Sequence, residues 1–153
     1  MLLVADVTEV EFHTGLEDPV AFTCRLLRKA YRLGTRVLVT APAGRLSALD
    51  RALWLIDDPE PAFVAHVRLP AAAVVLSRSL LWLATDVGLA GKAAVPAPSV
   101  LINLGADVPP SLDGLSRVIE VVGAESEERD AGRVRWRTYA AQGFAIKHHI
   151  AAG

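Results

Sequence analysis

At 153 residues the chain is long enough to bury a proper core and short enough for one domain, expected to span residues 1–153. Hydrophobic residues make up 52% of it and charged residues 22%, which excludes a disordered protein. The balance of 16 Lys and Arg against 17 Asp and Glu excludes a wide basic surface for a nucleic-acid backbone, so any anion site must be local.

The one cysteine, Cys24, cannot form an internal disulfide and falls in a helical pattern. It is expected to be a small core residue in a protein made for a reducing compartment, the cytoplasm. The opening MLLVADVTEVEF lacks a basic n-region, and Asp6, Glu9 and Glu11 break its apolar run, so it is not expected to be a signal peptide. The apolar stretch from Ala71 to Gly91 is interrupted by Arg78 and Asp86, and falls short of the roughly 18 uninterrupted apolar residues that a membrane span needs.

Taken in chain order, Val4 to Phe12 reads as a strand. Asp18-Pro19 then supplies an N-cap and a proline at the first helical position, and the helix runs to a C-cap at Gly34. Arg36 to Thr40 is a short apolar strand of the parallel-sheet kind. The turn APAG leads into a helix from Arg45 to Leu55, with Leu46, Leu49, Ala52 and Leu53 at helical spacing. A proline-broken loop, DDPEPAF, carries Phe63, and is followed by His66 and the short apolar run Val67 to Leu69.

The insertion at residues 71–98 reads as a buried strand followed by a short helix, closing in a Pro/Ala-rich loop from Ala93 to Ser99. Val100 to Leu104 and Val118 to Val122 are two further buried strands. Strands alternating with capped helices predict a three-layer α/β fold, with a mainly parallel central sheet and helices on both faces in a Rossmann-like topology.

The last helix, Glu125 to Gln142, carries the clearest functional signal. At about 100° per residue, Arg129, Arg133, Trp136, Arg137 and Ala140 share one side, and Ala131, Val134, Thr138 and Ala141 share the other. The small apolar side is expected to pack and the arginine side to face outward. An indole among guanidiniums suits an acidic peptide that carries an aromatic residue; the alternative is a Trp covered by its own neighbours through cation–π contact. Glu125, Glu127 and Glu128 in the first turn complement the helix dipole.

Catalytic machinery is not expected. The first strand-to-helix turn, HTGLEDP, has neither GxGxxG nor a phosphate-cradling P-loop, and the second, TAPAGR, has one glycine. Asp57 and Asp58 are adjacent and diverge on a loop. His13, His66, His148 and His149 have no partner at i, i+4 and no nearby zinc-type set, and His148-His149 reads as a frayed polar terminus. No cofactor or metal is therefore expected.

Several stretches together resemble the chi subunit family of bacterial DNA polymerase III: RLLRKAYRLGTRVLVTA, LSALDRALWLIDDPEPAFVAH, VLINL and VIEVVGAESEERDAGRVRWRTYAAQGF. The order ALW…FVAH, then R-x-R-W-R-x-Y-x-x-x-G-F, carries most of the likeness. The resemblance implies an α/β protein without catalysis of its own, acting in replication as a bridge. One partner would be the acidic, phenylalanine-ending C-terminal tail of the single-stranded DNA-binding protein; the other would be the psi subunit of the clamp loader, in cells that have one.

Carried over by position, the tail site would include Val122, Arg133, Trp136 and Arg137, while Ala140 stands where some relatives have a further basic residue. Trp54 and Phe63 would lie at the psi side, although a tryptophan ending an apolar helix and a phenylalanine in the next loop equally suit the edge of a core. The resemblance leaves a helicase open as a further partner and makes contact with DNA indirect. The competing reading is a nucleotide-binding or enzymatic α/β domain of unknown substrate.

Overall fold

The computed structural model describes residues 8–55 and 64–151. The expected strand start at Val4 and the aromatic Phe63 lie outside the described residues. The elements are β1 (Glu9–Leu16), α1 (Pro19–Leu33), β2 (Val37–Thr40), α2 (Ala43–Trp54), β3 (Val67–Arg68), α3 (Ala73–Ser77), β4 (Leu81–Ala84), α4 (Val87–Gly91), β5 (Val100–Asn103), β6 (Arg117–Gly123), α5 (Ser126–Ala141) and β7 (Ile146–Ile150). The strands form one seven-stranded sheet in the order β3-β4-β2-β5-β6-β1-β7. Every pairing is parallel.

Local signals explain the helix limits. Asp18 Oδ1 accepts from the Ala21 N–H at 3.0 Å, and Pro19 occupies the first turn, where no N–H is needed. Gly34 ends α1 at φ 70°, a left-handed conformation that glycine adopts without a Cβ penalty. The Thr35 N–H then closes the last turn on the Ala30 carbonyl at 2.9 Å.

Because the strands are buried on both sides, alternate residues enter different cores. Val37, Val39, Leu83, Ile102 and Val121 pack with Cys24 and Leu27 of α1 and Leu46, Leu49 and Leu53 of α2. Phe12, Leu38, Trp82, Leu101 and Val122 pack on the opposite face with Leu76 of α3, Ala90 of α4 and Tyr139 of α5. These are the two outer layers of a three-layer α/β fold. Cys24 is buried as expected, and burial, aided by the charge of Asp18, pushes its thiol up to about 11.

The insertion contributes β4 between β3 and β2, with α3 before it and α4 after it. Its Trp82 is wholly buried, and the indole Nε1–H donates to the Ser79 carbonyl at 3.0 Å, which meets the polar need of a core tryptophan.

Two expectations are corrected. His148-His149 is not a frayed terminus but part of β7, which pairs with β1 from Val10↔Ile146 to Thr14↔Ile150. An edge strand exposes most of its side chains, so IKHHI carries little of the apolar alternation that marks a strand in sequence. The packing face of α5 is also not its small apolar side: Gly132, Arg135 and Tyr139 are buried, whereas Ala131 and Ala141 are exposed and Val134 is 58% exposed. The reason is the buried carboxylate of Glu120 beneath the helix, which draws Arg135 and Tyr139 inward.

Candidate functional site

Glu120 on β6 is fully buried, and such a carboxylate must be matched by donors. Arg135 Nε donates to its Oε1 at 2.8 Å, and the Tyr139 hydroxyl and Asn103 Nδ2 donate to its Oε2 at 2.7 and 2.9 Å. Asn103 Oδ1 in turn accepts from Thr40 Oγ1 at 3.0 Å and from the Ala106 N–H at 2.9 Å. Burial pushes the Glu120 carboxyl above its usual range, while the Arg135 charge and these donors pull the other way. Burial and the neighbouring Glu120 charge also push the Tyr139 hydroxyl up, which keeps it a donor.

With Arg135 and Tyr139 turned inward, α5 presents Arg129, Arg133 and Arg137 outward and lays Trp136 along the sheet edge. Gly132 lets the helix approach β6 closely, since a Cβ there would lie 2.8 Å from Val122 Cγ1. The Trp136 ring packs on Phe12 of β1 with centroids 4.9 Å apart at 55°, and meets His148 of β7 edge-on at 5.1 Å. The result is an open groove of about 370 Å³. Phe12, Val122 and Trp136 line it with apolar surface, Thr14 and His148 close one wall, and the three arginines line the other.

The rim charges are available. Arg133 lies 3.6 Å from Asp130 one turn back, with both side chains more than three-fifths exposed, a pair that solvent screens almost completely. Thr14 Oγ1 and His148 Nε2 are 2.7 Å apart, which fixes the imidazole against the indole. A groove with an apolar floor and unsequestered guanidiniums can hold an aromatic ring beside carboxylates.

All four residues assigned to the tail site from the sequence, Val122, Arg133, Trp136 and Arg137, line this one groove. Trp136 is half-buried against Phe12 and His148, so its cover comes from other strands and not from its own arginines. The sequence reading missed Phe12, Thr14 and His148, which reach the groove only because β1 and β7 pair. It also missed Gly132, whose place at i−4 from Trp136 was the available signal.

Trp54 ends α2 on the opposite face of the sheet and is 60% exposed, with its ring edge-on to His66 at 5.8 Å. His66 Nε2 in turn lies 2.5 Å from Asp50 Oδ1. Phe63, its expected companion, is outside the described residues. At the C-terminal ends of the strands, where open α/β sheets hold nucleotides, the crevice is lined by Glu127 and Glu128, and Arg45 is already paired with Glu128. Glu128 therefore serves an inter-helix ion pair as well as the helix dipole.

Residues 7–147 match the model of the family described as DNA polymerase III chi subunit, HolC. A DNA polymerase III subunit chi from Pseudomonas aeruginosa is 32% identical over 148 residues, covering 94% of this chain and 96% of its own length.

Proposed function

Since the chain belongs to the DNA polymerase III chi subunit family, we propose that this accessory protein of DNA replication uses its arginine groove to hold the acidic C-terminal tail of single-stranded DNA-binding protein. The observation that carries the reading is the union of an apolar floor, formed by Phe12, Val122 and Trp136, with the exposed Arg129, Arg133 and Arg137. The terminal aromatic ring of the tail would enter over Trp136, and its aspartates and terminal carboxylate would pair with the guanidiniums. The chain is then a non-catalytic link between the tail and the clamp loader, associated with DNA indirectly and located in the cytoplasm. A psi subunit would dock at Trp54 and Phe63; Trp54 ends α2 on the sheet face away from the groove, so a partner held there would leave the groove open. Among the described residues no helix is long and apolar enough to cross a membrane.

A short disordered peptide must be ordered on binding, which places the affinity in the micromolar range, about −8 kcal/mol. The competing nucleotide-binding enzyme is disfavoured because the two arginines of the crevice at the strand ends are already paired, Arg45 with Glu128 and Arg135 with Glu120, and Glu127 adds a further negative charge there. Titration of the protein with a tail peptide, followed by tryptophan fluorescence, tests the reading. A saturable change with the peptide and none with nucleotides is expected; the reverse would remove the assignment. Purified protein should hydrolyse no NTP and show no nuclease or polymerase turnover.

A further inference from the structure

We propose that Glu11, His13 and His149 form a binding site for a divalent transition-metal ion of the zinc type, on the sheet face turned away from the arginine groove. Glu11 and His13 stand two apart on β1 and so project from one face. Parallel pairing sets His149 of β7 opposite His13. One ligand atom from each of the three lies within 4.8 Å of the other two. The His13 and His149 rings stack with centroids 4.6 Å apart and 14° between their planes, and His13 Nε2 is 3.3 Å from Glu11 Oε1.

Two nitrogens sharing a tetrahedral zinc at ~2.1 Å lie roughly 3.4 Å apart, and each ring must hold the ion in its own plane, so the exposed His149 must turn out of its stack on His13 for both to bind. Two imidazoles and one carboxylate, with a fourth position left to water, suit zinc and its neighbours rather than Mg²⁺ or Ca²⁺, which prefer oxygen. The histidines were expected to lack a zinc-type set because only the β1–β7 pairing brings His149 to His13.

The surroundings already support the ligands. Phe22 of α1 packs on the His13 ring with centroids 5.1 Å apart, and Arg117 Nη2 donates to Glu11 Oε1 at 2.7 Å, an outer hydrogen bond of the kind that orients a metal-binding carboxylate. Arg117 and Lys147, which is in register with Glu11, also place positive charge nearby and hold the affinity to the micromolar range. Among the described residues β7 is an edge strand that pairs only with β1, so a bound ion would clip it in place and stabilise the fold by linkage.

The test uses untagged full-length protein, stripped with chelator and dialysed, then titrated with ZnCl₂ by calorimetry and with Co²⁺ by visible absorption. One equivalent of each should bind, Zn²⁺ should raise the melting temperature, and His149→Ala and Glu11→Gln should each weaken binding by about 10- to 100-fold. His149 is exposed, so its variant is expected to fold. His148→Ala, on the same strand but the other face, should leave Zn²⁺ binding unchanged. Failure to saturate below about 100 µM Zn²⁺ would overturn the proposal. So would binding that survives His149→Ala undiminished, whatever the effect of His148→Ala. Neither result bears on the tail groove, because no peptide is present.

Discussion

Arg135 of α5 meets Glu120 of β6 at 2.8 Å in the interior of the protein, and this pair sets the rotation of the helix over the sheet. With Arg135 directed inward, the residues three turns of sequence pattern would have buried, Val134 and Ala141, face solvent, and Arg133 and Arg137 flank the groove. Replacing Arg135 by Met leaves a buried carboxylate without its cation. The expected loss is about 3–5 kcal/mol in denaturant unfolding, and the double variant Glu120→Leu/Arg135→Met should lose less than Arg135→Met alone. An Arg135→Met protein as stable as the parent would show that the pair does not hold the helix.

Gly132→Ala should destabilise the fold by about 1–3 kcal/mol, because the added methyl would sit 2.8 Å from Val122 Cγ1 against a strand that cannot give way. The same methyl pushes α5 off the sheet beside the groove, so tail-peptide affinity should fall with stability. Thermal unfolding and calorimetry on one preparation would check both.

Arg133→Ala should cost on the order of 1–3 kcal/mol of tail binding with little change in stability, since its side chain is 63% exposed and only loosely paired with Asp130. Trp136→Ala should lose binding and stability together, because the indole packs on Phe12 and His148. Rising salt should weaken binding to the parent without unfolding it. Calorimetry that found both variants binding the peptide like the parent would end the assignment of the groove.

Trp54→Ala should change stability by less than about 1 kcal/mol, as expected for a ring 60% exposed, while reducing capture of a clamp-loader partner. Phe63→Ala separates the two readings of that aromatic: a core residue would cost roughly 3–5 kcal/mol, an interface residue far less. The measurement is chemical unfolding of each variant beside a binding assay.

Cys24 gives a pH-dependent prediction. Its thiol is raised by burial to about 11, so between the ordinary thiol value near 9 and about 11 the unfolded chain loses a proton that the folded chain keeps. Stability contributed by the neutral thiol is complete below pH 9 and falls as pH rises through that window, by about 2–3 kcal/mol in all. Cys24→Ala should flatten this part of the alkaline limb in a series of unfolding curves. Thiol reagents at pH 8 should label the parent only after denaturation.

The sequence by itself determined the α/β class, the limits of α1 and the identity of the rim. Asp18, Pro19 and Gly34 act through their own backbone, so α1 could be bounded without a fold. The apolar runs of β2, β5 and β6 could likewise be found without knowing their neighbours, and the cluster of Arg133, Trp136 and Arg137 is set by helical spacing alone. Only the tertiary structure decided which way α5 turns, because the donors that settle Glu120 come from α5 and β5, and a buried charge outweighs the burial of a few small apolar side chains. It alone also paired β7 with β1, which brought Phe12 and His148 to one face and His13 and His149 to the other. Register between strands far apart in the chain depends on long-range pairing, and an exposed edge strand such as IKHHI carries no local pattern that specifies it.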